Sequence, residues 1–408
     1  MKTITIIGIN YSPEDTAIGL YSTQLAEFLS NNGFKVNIIT GFPYYPSWQI
    51  NKSYQNKRTF LKENINNITI YRYKQYVPKS PTFFKRILHL IDFTLGSSIN
   101  IFKIKKTDLV LCIVPFTSTI IPGKILAKIK KAKLWVHIQD FEFDAALESN
   151  LTNKKNIIFK IIFKVEKILL NKADALSSIS HAMFNKLEQK NKKQIPTYLL
   201  PNWVDVDFIN PNNALTHQHL DSNKFKVLYA GNIGEKQDWD FFLQLAKRLQ
   251  NNIKVELIIV GNGAKKNWLL NKLGNYKNIK YYNPVAYSEL SDLLCSADVH
   301  ILFQKDNIID TVMPSKILAM MASQKPSIIS GNPQSEVATV IKESQGGFYF
   351  KSDDLDGVLS SILMLSQNKD DAKIFGINAR KYVSENFSSQ KILGQFKTCF
   401  EQIIESSN

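Results

Sequence analysis

Short aliphatic runs alternate with amphipathic helical segments along most of the chain. That alternation restricts the fold to parallel-sheet α/β architecture. The first unit is a strand at Thr3–Ile9, a turn-rich loop at Asn10–Ile18 containing Pro13, and a helix. On that helix Ile18, Tyr21, Leu25, Phe28 and Leu29 share one face. Asn31-Asn32-Gly33 ends it, as glycine at a C-terminal cap does, and strand Lys35–Thr40 follows. Further buried strands are expected at Leu109–Val114, Lys133–Ile138, Ala175–Ile179 and Thr197–Leu200, with a helix at Ile157–Leu170.

The pattern resets near Pro201–Pro211, and the polar stretch Asn210–Asn223 reads as a linker. A second alternation then begins. Its strands are expected at Lys226–Ala230, Lys254–Val260, Ile279–Tyr281, Val299–Phe303 and Ser327–Ile329. Its helices are expected at Trp239–Leu249, Ala264–Leu273, Tyr287–Cys295 and Ser315–Ser323. A length of 408 residues suits two such domains, 1–205 and 206–385. Segment 386–408 is expected to be a helix packing back toward the first domain. Two doubly wound sheets place ligands beyond the carboxyl ends of their strands. The expected site is a cleft lined by the loops after Ile9, Thr40, Ile138, Ala230, Val260 and Phe303.

Composition excludes other classes. A hydrophobic content of 44% rules out general disorder. Cys112, Cys295 and Cys399 are too few and too scattered for a disulfide framework or a zinc site. No run reaches the roughly 18 apolar residues of a spanning helix, and no signal peptide is visible, so a cytoplasmic location is expected.

Five segments carry candidate chemistry. In the first, Gly19 near a helix start either admits phosphate or merely permits a turn. The three spaced glycines of a dinucleotide site are absent, so no nicotinamide cofactor is expected. After Ile138, Gln139-Asp140-Phe141-Glu142-Phe143-Asp144 offers carboxylates for acid/base work or sugar hydroxyls, although Asp140 could simply cap a helix. In the second domain, Tyr229-Ala230-Gly231-Asn232-Ile233-Gly234-Glu235-Lys236 reads as an anion cradle without Walker spacing. Val260-Gly261-Asn262-Gly263 repeats the strand-then-glycine theme, suited to a base or ribose. Ser315-Lys316 at a helix start adds a second phosphate-directed feature.

The net charge of +16 is unevenly spread. Residues 1–205 hold 29 Lys and Arg against 14 Asp and Glu, while residues 206–408 hold 22 against 21. A basic half implies an anionic partner. Residues 72–106 interleave Arg72, Lys74, Lys79, Lys85, Arg86, Lys103, Lys105 and Lys106 with aromatic and aliphatic residues such as Tyr73, Phe84, Leu88 and Phe93. This reads as a basic aromatic helix able to lie on an anionic membrane. Lys124, Lys128, Lys130, Lys131 and Lys133 form a second cluster. An ordinary amphipathic helix with lysines on its wet face would read the same way.

At these residues a resemblance becomes specific. The stretches GINYSPEDTAIGLYSTQLAEFL, TGFPYYPSW, HIQDFEFDAA, LPNWVDVDF, YAGNIGEKQDW, VGNG and MPSKILAMMASQKP resemble, in order, those of family 4 retaining glycosyltransferases. Asn202–Asp205 and Gly231–Gln237 are similar to the colanic-acid fucosyltransferase and L-fucosamine transferase subgroup of bacterial surface polysaccharide assembly, including O-antigen and capsule. The resemblance implies the GT-B fold, two Rossmann-like doubly wound parallel-sheet domains. The first would hold the acceptor, an undecaprenyl-diphosphate-linked glycan, and the second a nucleotide-diphosphate sugar. No metal and no nucleic-acid partner would be involved, and the enzyme would sit peripherally at the cytoplasmic face of the inner membrane.

Carried over residue by residue, Gly19 would approach the donor phosphates. Gly231, Asn232 and Lys236 would line the diphosphate, Gly261 and Gly263 the nucleoside, and Ser315 and Lys316 the phosphates again. Asp140, Lys236 and Lys316 are the catalytic candidates. Tyr11, Gln139 and Glu142 are the acceptor or sugar contacts. The sequence departs from the wider family at two points. The two glutamates of its Glu-x7-Glu motif fall on Thr311 and Ala319, and its usual arginine is Asn232. Rival readings are a nucleotide-sugar 2-epimerase on the same frame, a nucleic-acid-binding protein, and a sugar-binding protein without catalysis.

Overall fold

Each strand run expected from the sequence forms part of one of two sheets. A computed structural model describes residues 1–14, 17–115, 117–141, 157–274, 276–308 and 315–406. The chain divides into two units, Met1–Pro201 with Leu393–Asn408, and Asn202–Ile392.

The first unit starts with β1 (Thr3–Ile7), α1 (Ala17–Asn31) and β2 (Lys35–Gly41). A hairpin absent from the sequence reading follows. In it, β3 (Phe60–Ile65) turns back into antiparallel β4 (Ile68–Tyr73). Its two-residue turn is Asn66-Asn67, with φ of 48° and 64°, the doubly left-handed geometry that matches strand twist. Next come α2 (Phe83–Ser98), β5 (Leu109–Val114), α3 (Ile120–Lys130), β6 (Lys133–Ile138), α4 (Ile157–Leu170), β7 (Ala175–Ser178), α5 (His181–Lys190) and β8 (Thr197–Leu199). The sheet order is β3-β4-β2-β1-β5-β6-β7-β8. Chain direction along the sheet reverses between β2 and β5. Right-handed crossovers therefore put α1 on one face and α2, α3 and α4 on the other.

The second unit runs β9 (Phe225–Asn232), α6 (Trp239–Leu249), β10 (Val255–Asn262), α7 (Lys266–Leu273), β11 (Ile279–Tyr282), α8 (Leu290–Cys295) and β12 (Val299–Phe303). It continues with α9 (Ser315–Ala322), β13 (Ser327–Gly331), α10 (Glu336–Ser344), β14 (Gly347–Lys351), α11 (Leu355–Gln367) and α12 (Lys369–Phe387). All six strands are parallel, ordered β11-β10-β9-β12-β13-β14. The final helix, α13 (Ser389–Glu405), passes into the first unit at Leu393. There Phe400 meets the buried Trp135 ring at 4.9 Å and Phe396 meets His137 at 5.1 Å.

Three aspartates fix strand register by one shared device. Asp108, Asp174 and Asp298 directly precede β5, β7 and β12. Each donates its backbone N–H to a residue at the start of the neighbouring strand: Thr3 (2.8 Å), Leu134 (2.7 Å) and Lys226 (3.0 Å). Each carboxylate then accepts the N–H of that same residue, at 2.7, 2.7 and 2.8 Å. The exchange satisfies an orphan donor at the sheet rim and pins the parallel pairing.

Two sequence expectations change. Asn210–Asn223 is no free linker. Its backbone N–H groups at Asn210, Leu215 and His217 donate to Ser291, Asp292 and Ser296 on and beside α8, and Leu220 is buried. Arg380 on α12 holds the preceding turn through the carbonyls of Val206 (2.9 Å) and Ile209 (2.7 Å). Polar composition suggested a linker, but the segment's backbone N–H groups are held by side chains on and beside α8. Residues 72–106 are likewise not one surface helix. Arg72 is fully buried on β4, paired with Glu63 and donating to Gly41 O (3.2 Å) and Ser12 O (2.5 Å). Phe93 is core, and the helix begins only at Phe83.

The aspartate device predicts that Asp174→Ala costs about 1–2 kcal/mol, read as a lower urea midpoint. Asp174→Asn should recover part of the loss, because its amide oxygen can still accept.

Candidate functional site

Strand order in the second sheet reverses between β9 and β12, the position where doubly wound sheets bind ligands. β9 and β10 end there in the same dipeptide, paired in register: Gly231 with Gly261, and Asn232 with Asn262. The two loops beyond interlock. Ile233 N donates to Asn262 O (2.8 Å), and Lys265 N returns to Ile233 O (3.0 Å). A Cβ at Gly261 would lie 2.0 Å from Gly231 O, so only glycine allows this approach. Gly231 has φ +143°, which also favours glycine. A Cβ at Gly263 would press on Ile233 O at 2.3 Å.

The bare backbone at Gly231 faces a cation. A Cβ there would stand 3.3 Å from Lys316 Nζ. Lys316 is carried by the first turn of α9 and donates to the Tyr229 hydroxyl (3.3 Å), with its ammonium 4.9 Å from that ring's centre. The Tyr229 hydroxyl in turn donates to Asn232 O (2.6 Å), and burial pushes its pKa up, so it stays protonated. Gly231, Asn232 and Lys316 are therefore brought together around Tyr229. Ser315 is exposed at the start of the same helix.

Lys236 is exposed beyond β9, and no partner for its ammonium is found among the described residues. Its backbone is fixed: Lys305 N donates to Lys236 O (3.1 Å), and Asp238 N donates to Phe303 O (3.2 Å). These bonds tie the β9 loop to the end of β12. Ala319 is half-buried against the core, and Thr311 lies outside the described residues.

Several members of this edge escaped the sequence reading. Glu235 pairs with Lys265 (3.2 Å) and Lys305 (4.0 Å). Tyr281 donates to Gly261 O (2.9 Å) and lies 3.1 Å from Asn283 Oδ1, which accepts from Lys266 Nζ (2.8 Å). Beside them is a cavity of about 420 Å³, with Tyr282, Pro284 and Ala286 in its wall. The His219 ring stacks on Tyr282 at 3.9 Å. Glu235 lies within the Gly231–Gln237 stretch, but no local motif marks Lys265, Tyr281, Asn283 or His219, whose partners lie on distant segments.

In the first unit, Tyr11 is buried and its pKa is raised by that burial. Gly19 packs against Glu14: a Cβ there would meet Glu14 Cβ at 2.8 Å and Oε2 at 3.2 Å. Glu14 is itself buried and accepts from Tyr44 N (2.7 Å), Tyr45 N (2.8 Å) and Asn10 Nδ2 (2.8 Å). It braces the β1 and β2 loops against each other, a role the sequence did not signal. Burial pushes its carboxyl upward, and the three N–H donors pull it partly back.

At the end of β6, Gln139 is buried with Nε2 3.0 Å from His137 Nε2. His137 Nδ1 lies 2.8 Å from Ser177 Oγ, which also accepts from Trp135 Nε1 (2.7 Å). Burial lowers the His137 pKa to about 3, so the ring is neutral and holds Gln139 in place. Asp140 follows, half-buried, and Glu142 lies outside the described residues. Among the described residues no three His, Cys, Asp or Glu side chains gather as a metal site.

Residues 224–368, which contain the whole β9–β12 edge, match the family model described as glycosyl transferases group 1. The WcaI protein of Escherichia coli (strain K12), named as a colanic acid biosynthesis glycosyl transferase, is 31% identical, with 96% of this chain and 98% of that protein covered. The chain belongs to the group 1 glycosyltransferases. The N-acetyl-alpha-D-glucosaminyl L-malate synthase of Bacillus anthracis is 21% identical over 98% of this chain and 97% of its own.

Among solved structures, the sucrose-phosphate synthase of Thermosynechococcus elongatus superposes with a TM-score of 0.72 at 13% identity, covering 100% of both chains. Anabaena Alr3699/HepE in complex with UDP gives 0.67 at 13% identity, covering 98% of this chain and 100% of that one. The fold of this glycosyltransferase is thus GT-B.

Two outcomes follow for this glycosyltransferase. Gly261→Ala should cost about 2–4 kcal/mol in urea unfolding, whereas Gly274→Ala, with open space around it, should be neutral or slightly stabilising. Glu14 sets a pH slope. Its folded pKa stands above the ordinary 4.5, so stability should fall as pH rises from 4.5 through the folded value. Glu14→Gln should flatten that segment of the stability–pH curve.

Proposed function

We propose that this glycosyltransferase moves a deoxyhexose, N-acetyl-L-fucosamine or L-fucose, from a nucleotide-diphosphate donor to a lipid-linked oligosaccharide, with retention at the anomeric carbon. The observation that carries the donor half is Lys316, held by Tyr229 over the bare backbone of Gly231. A backbone without a side chain, a fixed cation and the N-terminal end of α9 together suit a diphosphate. HepE, which shares the fold, binds UDP, and that supports a nucleotide in this chain too. The cavity after β11 has room and aromatic walls for a base.

In this reading, the bond between the anomeric carbon and the diphosphate oxygen breaks, and negative charge grows on that oxygen. Lys316, Lys236 and the start of α9 stabilise the charge without a metal. The acceptor hydroxyl attacks from the same face, and its proton passes to the departing phosphate. Asp140 orients the reacting sugar, with Tyr11, Gln139 and Glu142 around the acceptor. Neutral His137 positions Gln139 and stays uncharged at neutral pH. The likeness of Asn202–Asp205 and Gly231–Gln237 to fucosyl and fucosaminyl transferases supports the deoxyhexose. The relation to WcaI, named for colanic acid biosynthesis, supports a role in polysaccharide synthesis; the undecaprenyl-diphosphate carrier and the cytoplasmic face are what the family 4 resemblance implies.

A thermal-shift panel tests the donor half. UDP or GDP at 100 times its dissociation constant should stabilise the protein by about 2.7 kcal/mol. Lys236→Ala, at an exposed position, should weaken that shift, and Lys316→Ala should lower kcat/KM by about 10²–10³. No shift with any nucleotide diphosphate, or full turnover in both variants, would overturn the proposal.

A further inference from the structure

Helix α2 carries two apolar faces. One, with Leu90 and Phe93, is core. The other, Leu88, Ile91 and Leu95 continuing the line of Phe84, repeats at helical spacing but points to solvent, with Phe84 74% and Leu95 67% exposed. An ordinary surface helix has a single apolar stripe. Phe102, just past α2, is 74% exposed as well. The neighbouring α3 repeats the pattern with exposed Ile121, Ile125 and Ile129, and α4 adds Val165 and Ile168. The three helices pack side by side on one face of the sheet, so their outer stripes share one side of the first unit.

Charge on this side is one-sided. Helices α2, α3 and α4, with residues 99–103, contain nine Lys and Arg against two carboxylates, Asp92 and Glu166. Both carboxylates are engaged. Asp92 accepts from the Tyr73 hydroxyl (3.0 Å) and Tyr76 N (2.6 Å), and Glu166 pairs with Lys190 (3.1 Å). Lys124 and Lys128 sit one helical step from Ile121 and Ile125. Their long stems can lie along an apolar layer while the ammonium groups stay in water.

We infer that the outer side of α2, α3 and α4 docks on an anionic lipid bilayer. Exposed apolar stripes of this extent mark an interaction surface. The lysines beside them select an anionic, laterally extended partner. A second copy of the chain fits poorly, because a symmetric interface would bring lysine against lysine with no carboxylates to answer. No described helix is long and apolar enough to cross a membrane, which leaves contact at the surface. The inference rests on the surface chemistry of one unit and does not draw on the donor reading.

Vesicle co-sedimentation of the full chain decides it. Phosphatidylcholine vesicles containing about one third phosphatidylglycerol should pellet the protein at low salt, and pure phosphatidylcholine or high salt should release it. Leu88→Asp with Leu95→Asp, and separately Lys124→Glu with Lys128→Glu, should each weaken binding at least about tenfold. Both should leave the nucleotide-dependent thermal shift unchanged. Binding indifferent to anionic lipid, or variants that sediment like the parent, would overturn the inference. So would light scattering that shows a dimer dissociated by Leu88→Asp with vesicle binding intact. Loss of the nucleotide shift in the parent protein would instead count against the donor reading alone.

Discussion

The approach of Gly231 to Gly261 sets the geometry of the second unit's ligand edge. Parallel pairing carries β9 and β10 in register to their carboxyl ends, where a Cβ at Gly261 would strike the Gly231 carbonyl oxygen. With glycine at both places the strands stay paired to the rim, and their loops can exchange the Ile233 hydrogen bonds. Everything else on that edge is placed relative to this contact. Tyr229 reaches Asn232, Lys316 reaches Tyr229, and Tyr281 reaches Gly261. The result is an exposed strip of backbone flanked by lysines, suited to an oxyanion rather than to an apolar group.

The first unit solves a different problem, that of burying charge. Arg72 is fully buried, yet it has Glu63, two backbone carbonyls and the Tyr54 ring face, 5.1 Å away, around it. Glu14 is buried against three N–H donors. Removing one partner of such a cluster leaves an uncompensated charge, which costs far more than the intact cluster contributes. Both groups tie the β1 loop to the region after β2: Arg72 through Ser12 and Gly41, Glu14 through Asn10 and Tyr44. The loop bearing Tyr11 is held rigid for that reason.

The two units also divide the electrostatic work. The near-neutral second unit needs only a few placed lysines, because a strand edge and a helix start already concentrate partial positive charge. In the basic first unit, the outer side of α2 to α4 collects lysines and exposed aliphatic residues, while its two carboxylates are engaged, Asp92 by Tyr73 and Tyr76 and Glu166 by Lys190. A global count of +16 hides that division.

The sequence by itself determined the parallel α/β alternation and the strand–glycine loops. It also marked Gly231, Asn232, Gly261 and Lys316, because each is a local signal: a period, a turn residue or a charge beside a helix start. Family membership was legible for the same reason, since those loops carry the motifs. Tertiary structure alone decided which residues meet across strands. Tyr229 under Lys316, Tyr281 on Gly261, Glu14 against Tyr44 and Tyr45, and the β3–β4 hairpin depend on pairing between distant segments. Arg72 shows the limit most plainly. In a list of residues it is one cation in a basic cluster; in the fold, β4 turns it inward, away from solvent, and toward Glu63. Periodicity reports which way a side chain faces along one element, but burial is set by what packs above it.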